Sequence, residues 1–390
     1  MQCTLILRRA FVTAVASLAM SAANAQAPAP RIKVGLMLPA TGTFAALGTA
    51  MSNGFRLYVA EQGGRLGGRE VEFISVDDES DPAKATENAN RLVKRDQVDV
   101  LVGTAHSGVA LAMAKVARDT QTLMIIPNAG ADELTGALCA PNIFRTSFSN
   151  WQVGYAVGQT MAERKVRTAV TMVWKYAAGQ QMVAGFREAF EKGGGKVVKD
   201  MAVPFPNTEY QPYLTELAGL RPEGVFAWFA GAGGSKFLKD YAAAGLKGQI
   251  PLYSNFLTDG TLEAAGDAGQ GILTTLHYAE GLESPRNQSF RLAYAKTYKL
   301  QPDVYAVQGY DAAQLLAAGL KAVGGDTHRK AEMIRAMEAA RIDSPRGVFT
   351  LSRAHNPVQD FYLRKSEGRD NKLVSVMVKA LADPAHGCKM

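Results

Sequence analysis

Residues 98–127 read VDVLVGTAHSGVALAMAKVARDTQTLMIIP. Val98 to Gly103 is a short, near-continuous apolar run, which predicts a strand buried on both faces. Thr104-Ala105-His106-Ser107 is a turn. Gly108 to Asp119 carries apolar residues at helical spacing, and Leu123 to Pro127 is a second apolar run ended by proline. Strand, helix and strand within roughly 30 residues make one βαβ unit with parallel strands.

The same alternation continues in both directions. Upstream, Ile32–Leu38 and Val71–Asp77 read as strands, with helices over Gly48–Gln62 and Pro82–Asp96. Downstream, Phe144–Ser147 is a short extended segment, and then the pattern restarts. Strands are predicted at Ala169–Trp174, Lys196–Val198, Gly224–Phe229 and Ile250–Tyr253, with a helix over Gln180–Glu191. Two βα series of similar size predict an α/β fold of two doubly wound parallel-sheet lobes. Ligands of such sheets bind beyond the carboxyl ends of the strands. The turns there are Pro39–Gly48, Gly103–Gly108, Pro127–Thr135, Lys175–Gly179, Ala230–Ser235 and Ser254–Asp259.

Residues 1–25 do not belong to this pattern. Arg8 and Arg9 precede the apolar run Ala10–Met20, and Ala23-Asn24-Ala25 supplies a small-residue cleavage site before Gln26. This reads as a secretory signal peptide cleaved near Ala25. The apolar run is shorter than the roughly 20 residues of a spanning helix. Removing the segment takes away two arginines and no acid, so the net charge falls from +7 to +5. It also removes Cys3 and leaves Cys139 and Cys388. Two thiols in an exported chain predict one disulfide, the alternative being two free thiols.

Charge and motif content exclude several functions. Lysines and arginines are scattered, so no basic patch marks a nucleic-acid partner. The five histidines (His106, His277, His328, His355 and His386) form no pair at zinc-binding helix spacing. Neither a nucleophile elbow nor a P-loop pattern is present. Gly231-Ala232-Gly233-Gly234-Ser235 reads as a tight strand-to-helix turn. Asp77-Asp78-Glu79 with Asp81 lacks EF-hand spacing and reads as a solvated acidic loop. The mature segment is therefore expected to be neither an enzyme nor a metal or cofactor protein. Ala105-His106-Ser107 stands out, because a hydroxyl, an imidazole and backbone N–H groups at a helix start suit a carboxylate. Ser107 acting only as the helix N-cap is the competing reading. Asn128 either adds its amide or stabilises its own turn.

Several features in order resemble the leucine/isoleucine/valine-binding family of ABC-transporter solute-binding proteins. They are the opening Ile32–Gly48, the Gly103-x-x-x-Ser107 turn, Pro127 with Leu134-Thr135, Phe144-Arg145-Thr146 and Tyr310-Asp311-Ala312. The resemblance covers essentially the whole chain after the signal peptide. It implies a type I periplasmic binding protein, whose two lobes close on a ligand about three crossover strands. The crossings fall near Asn150, His277 and Arg346, giving a first lobe of 30–149 with 278–345 and a second of 150–277 with 346–385. It further implies a periplasmic location and an ABC permease in the inner membrane as partner.

The family's amino-acid binders hold the ligand carboxylate with the serine that is Ser107 here, beside the backbone around Asn128 and Ala129. Gly130 stands where the family often has threonine. The family carboxylate that pairs with a ligand ammonium falls at or next to Phe256, and Ala178 and Ala232 stand where tyrosines are usual. An ammonium in a closed cleft needs an anion or several acceptors. With that receptor lost, the expected ligand is a small aromatic carboxylate of the benzoate type. Phe256, Tyr305, Tyr176 and Phe44 are available to stack on its ring or to serve as core. A branched-chain amino acid carrier and an exported ligand sensor are the alternatives. Pro127–Asp132, Cys139–Trp151 and the terminal Cys388-Lys389-Met390 also resemble the subgroup that binds lignin-derived aromatic acids. Trp174 and Trp228, in apolar strands, are expected to be core, and Trp151 to pack near the first crossing.

Overall fold

A computed structural model describes residues 30–368 and 370–390; the export segment lies outside them. The first half of the chain runs β1 (Ile32–Leu38), α1 (Ala45–Glu61), β2 (Arg65–Leu66), β3 (Arg69–Asp77), α2 (Pro82–Asn90), β4 (Val100–Val102), α3 (Ser107–Thr120), β5 (Leu123–Ile126) and β6 (Ile143–Arg145). These strands form one sheet in the order β2-β3-β1-β4-β5-β6. All neighbours are parallel except the short β2–β3 pair. Each strand is apolar on both faces because both are covered. Val34, Val100, Val102 and Ile125 enter one core, while Met37, Leu101, Met124 and Ile126 enter the other with α2 and α3.

The second half continues with α4 (Asn150–Glu163), β7 (Thr168–Lys175), α5 (Ala177–Lys192), β8 (Lys196–Pro204), α6 (Gln211–Leu220), β9 (Gly224–Trp228), α7 (Ala232–Ala243), β10 (Leu252–Ser254), α8 (Asp259–Ala265) and β11 (Leu273–Leu276). Helices α9 (Pro285–Tyr298), α10 (Val304–Ala322) and α11 (Lys330–Glu338) follow. The chain closes with β12 (Thr350–Leu351), β13 (Pro357–Glu367) and β14 (Asp370–Leu381). The second sheet has the order β12-β13-β11-β10-β9-β7-β8, with β14 on β13. Helix α10 packs on α1, and α11 on α10, so the chain returns to the first sheet between β11 and β12.

The second sheet is parallel from β8 to β11, as expected, and adds antiparallel strands at its other edge. β13 runs antiparallel to β11, β12 and β14. β14 is mostly exposed, although Leu373–Val378 is a largely apolar run. No helix among the described residues is long and apolar enough to cross a membrane. The tail after β14 reaches back toward the first sheet, where Cys388 is bonded to Cys139 (S–S 2.14 Å, Cα–Cα 5.5 Å).

Buried polar side chains fix the passages between the sheets. Ser149 and Gln152 form a capping box at the start of α4. Gln152 Nε2 also donates to the carbonyls of Pro357 (2.9 Å) and Leu381 (2.8 Å). Arg145 donates to Asn356 Oδ1 (2.7 Å), the Ala131 carbonyl (2.8 Å) and Thr135 Oγ1 (2.5 Å). Arg346 pairs with Asp311 (3.2 Å) and donates to the carbonyls of Thr146 and Ser147.

Candidate functional site

A narrow slot lies between the two sheets, with about 320 Å³ of empty volume counting its mouth. Only about 20 Å³ of this is closed cavity, little more than one water's space and far below the roughly 300–1,000 Å³ usual for ligand clefts, so a ligand enters only when the walls move apart. All six turns beyond strand ends reach it: Phe44, Ala105 with Ser107, Asn128 with Gly130, Tyr176, Ala230, and Phe256. Tyr305 at the start of α10 completes the aromatic wall, beside Phe148, Asn150 and Trp228. Of the ten expected contact residues, His106 and Ala129 lie behind this surface, while the other eight share it.

The helix start at Ser107 differs from the capping alternative. His106, in extended conformation, is the N-cap of α3, and its Nδ1 accepts from Gly108 N–H (3.1 Å). Ser107 is the first helical residue. Its Oγ accepts from Asn150 Nδ2 (3.3 Å), which leaves its O–H free to donate. His106 is buried and stacks on Tyr176 at 4.5 Å and 12°. Burial pushes its pKa down to about 4, so the ring is neutral at pH 7 and is no cationic partner for an anion. Other amides of this turn are committed. Ala105 N–H donates to Thr104 Oγ1 (2.6 Å), and Ala129 N–H to the Thr104 carbonyl (2.9 Å).

Gly130 has a steric reason. A Cβ there would come within 2.4 Å of Asn150 Oδ1 and 2.7 Å of Phe148, so the residue usual in the family would displace both. Asn128 Nδ2 donates to Gln308 Oε1 (2.8 Å), tying its turn to α10 rather than to itself. The acidic loop is not solvated as expected. Asp78 is buried, and it accepts from Thr104 Oγ1 and from Ser80 N–H (2.8 Å). Burial raises its carboxyl to about 6. Asp77 accepts from Ala40 N–H (2.8 Å) and Thr41 Oγ1 (2.7 Å). These contacts anchor the turn that carries Phe44.

On the opposite wall Phe256 adopts a left-handed φ of 53°, uncommon for a bulky residue. The next carbonyl, Leu257, is held by Arg364 (3.2 Å) and Asn371 (2.9 Å), and Arg364 pairs with Glu280 (3.0 Å). Phe256 lies over Tyr305 (6.1 Å, 15°) and against Phe148 (4.8 Å). Burial raises the phenols of Tyr176 and Tyr305, which therefore stay neutral. Among the described residues, no Asp, Glu, Lys or Arg lines the slot. Trp228, expected as core, lines it, while Trp174 donates Nε1 to the Asn207 carbonyl (3.3 Å) as a core residue. Trp151 lines a separate cavity and donates to Glu188 (2.8 Å). Gly231 is where the walls meet: a Cβ there would come within 2.3 Å of the Thr43 carbonyl. Sequence reasoning did not single out Phe148 or Asn150. Their signal, a phenylalanine and an amide beside the first crossing, is visible only once the crossing is placed.

The chain is similar to known proteins over most of its length. A family model for periplasmic binding proteins matches residues 31–371. Leu/Ile/Val-binding protein homolog 6 of Brucella abortus is 30% identical over 371 residues, 92% of each chain. A solute-binding protein of an ABC transporter from R. palustris, solved with benzoate, is 53% identical with a TM-score of 0.91. That match covers 93% of this chain and all of that one. Another from Rhodopseudomonas palustris BisB5, solved with 3,4-dihydroxybenzoic acid, is 31% identical with a TM-score of 0.85, covering 91% and 99%.

Proposed function

The chain belongs to the periplasmic binding protein family, and from that membership we propose that it is the capture component of an ABC importer for a small aromatic carboxylate. The observation that carries this reading is the slot itself, which has aromatic walls, the Ser107 hydroxyl at the start of α3 and, among the described residues, no charged side chain. A benzoate-type acid suits it. Its carboxylate faces the Ser107 hydroxyl and the positive end of α3, whose first amides have no partner within the helix. Its ring packs among Phe44, Tyr176, Phe256 and Tyr305. An amino acid would leave its ammonium without an anion in a closed site, at a cost that no lining residue offsets. The benzoate bound by the 53% identical R. palustris protein supports the same ligand class.

The carrier works by hinge closure of two lobes, 30–149 with 278–345 and 150–277 with 346–385. The Gly231–Thr43 approach marks where they meet. The export segment read from residues 1–25 supports a periplasmic location, with an inner-membrane permease as the receiving partner. Ser107 Oγ meets the Asn150 amide, which is no general base, and this supports a binding role for it. A thermal-shift screen of benzoate-type acids against leucine and valine tests the reading. An aromatic acid in excess raises the melting temperature and leucine does not. The reverse result would establish the branched-chain amino-acid alternative.

A further inference from the structure

Two donors on the slot have nothing to bond. The Tyr305 hydroxyl and Trp228 Nε1 are buried and lack a hydrogen-bond partner among the described residues. Tyr305 is 2% exposed and Trp228 4%. They come from different parts of the chain, Trp228 from the end of β9 and Tyr305 from the first turn of α10, yet both line the same slot. Neighbouring rings hold them in place. Trp228 packs against Tyr176 (5.7 Å) and Trp174 (5.9 Å), and Tyr305 lies over Phe256. Asp303 accepts from the Tyr305 N–H (3.0 Å) and fixes the start of α10.

We propose that Tyr305 and Trp228 read a hydroxyl group on the ligand's ring, so that the slot prefers a hydroxybenzoate to benzoate itself. This rests on the slot being an aromatic-carboxylate site. The chemistry follows from the two groups. Indole N–H donates only, so the ligand atom facing it must accept; a phenol does either. A ring hydroxyl satisfies both at once, accepting from Trp228 and donating to or accepting from Tyr305. A bare C–H leaves both buried donors unpaired, the situation that sites built for a hydroxyl discriminate against most strongly. The preference runs against overall similarity, since the 53% identical protein was solved with benzoate.

The test is calorimetric titration of the full chain with benzoate, 3-hydroxybenzoate and 4-hydroxybenzoate, repeated on Tyr305→Phe and Trp228→Phe. One hydroxybenzoate is expected to bind at least about tenfold tighter than benzoate. The ratio of the two Kd values is expected to move toward one in each variant. Affinities within about twofold for all three acids in the native chain would overturn the proposal, and this needs no variant to fold. A preference that survives both substitutions unchanged would overturn it as well. Absence of binding by all three acids would overturn the aromatic-carboxylate reading and this proposal with it.

Discussion

The chain buries polar side chains in opposite ways at the crossings and on the slot. At the crossings it buries charge and gives it partners from distant sequence: Arg145 reaches Asn356, and Arg346 reaches Asp311. His277 Nδ1, Gln359 Oε1 and Arg346 Nε, which has its ion pair but no hydrogen bond, are exceptions there. At the slot the titratable groups are held neutral, with His106 behind its wall pushed down and Tyr176 and Tyr305 on it pushed up. There Tyr305 and Trp228 are left unpartnered. A network bonded at most of its polar atoms fixes geometry and tolerates little change. Unpaired donors in an uncharged slot raise the free energy of the closed chain until a ligand pairs them. The crossings are built for one arrangement, and the slot for a guest.

The largest expected effect breaks the first half of this contrast. Arg145→Met removes the donor to three buried oxygens and is expected to cost about 3 kcal/mol or more in urea unfolding. A loss below about 1 kcal/mol would show that the network is not what fixes the crossing. The neutrality of the slot is tested by pH. His106 is protonated below about 6.5 when unfolded and only below about 4 when folded. Between these values the unfolded chain binds more protons, so this group's contribution is whole above 6.5 and is lost as pH falls. The native chain is expected to lose about 1.4 kcal/mol more per pH unit in that window than His106→Asn, which keeps a capping side chain. Equal slopes would contradict a neutral His106.

Smaller effects concern closure and ligand. Gly231 combines φ 62° and ψ −140° with the close Thr43 carbonyl. Gly231→Ala is expected to cost about 1–3 kcal/mol from conformation alone and to weaken binding further by obstructing the closed arrangement. Native affinity in that variant would remove the contact from the closing mechanism. Ser107→Ala is expected to weaken an aromatic acid about tenfold, at the low end for a bond to a charged group. An unchanged Kd would assign Ser107 a purely helical role.

The βα units were legible because strands buried on both faces are written as apolar runs, as in Val98–Gly103. The antiparallel β13–β14 pair was not: β14 is exposed over most of its length, so its apolar middle, Leu373–Val378, marks no buried face. The turns that form the slot followed from strand ends alone. Which residue caps α3 did not, because it depends on the extended backbone of His106 and not on residue type. Trp228 looked like core from its apolar neighbours, and only its place at the end of β9 turns it into a wall. Arg145 was visible as part of a family motif. Its role was hidden, because its partner Asn356 lies 211 residues away.

The central claim is that this slot takes an aromatic carboxylate and has no place for an ammonium group. Calorimetric titration of the native chain with benzoate-type acids and with leucine, on the same preparation, tests it directly. The account predicts saturable binding of an aromatic acid and none of leucine; saturable binding of leucine with no response to any aromatic acid would contradict it.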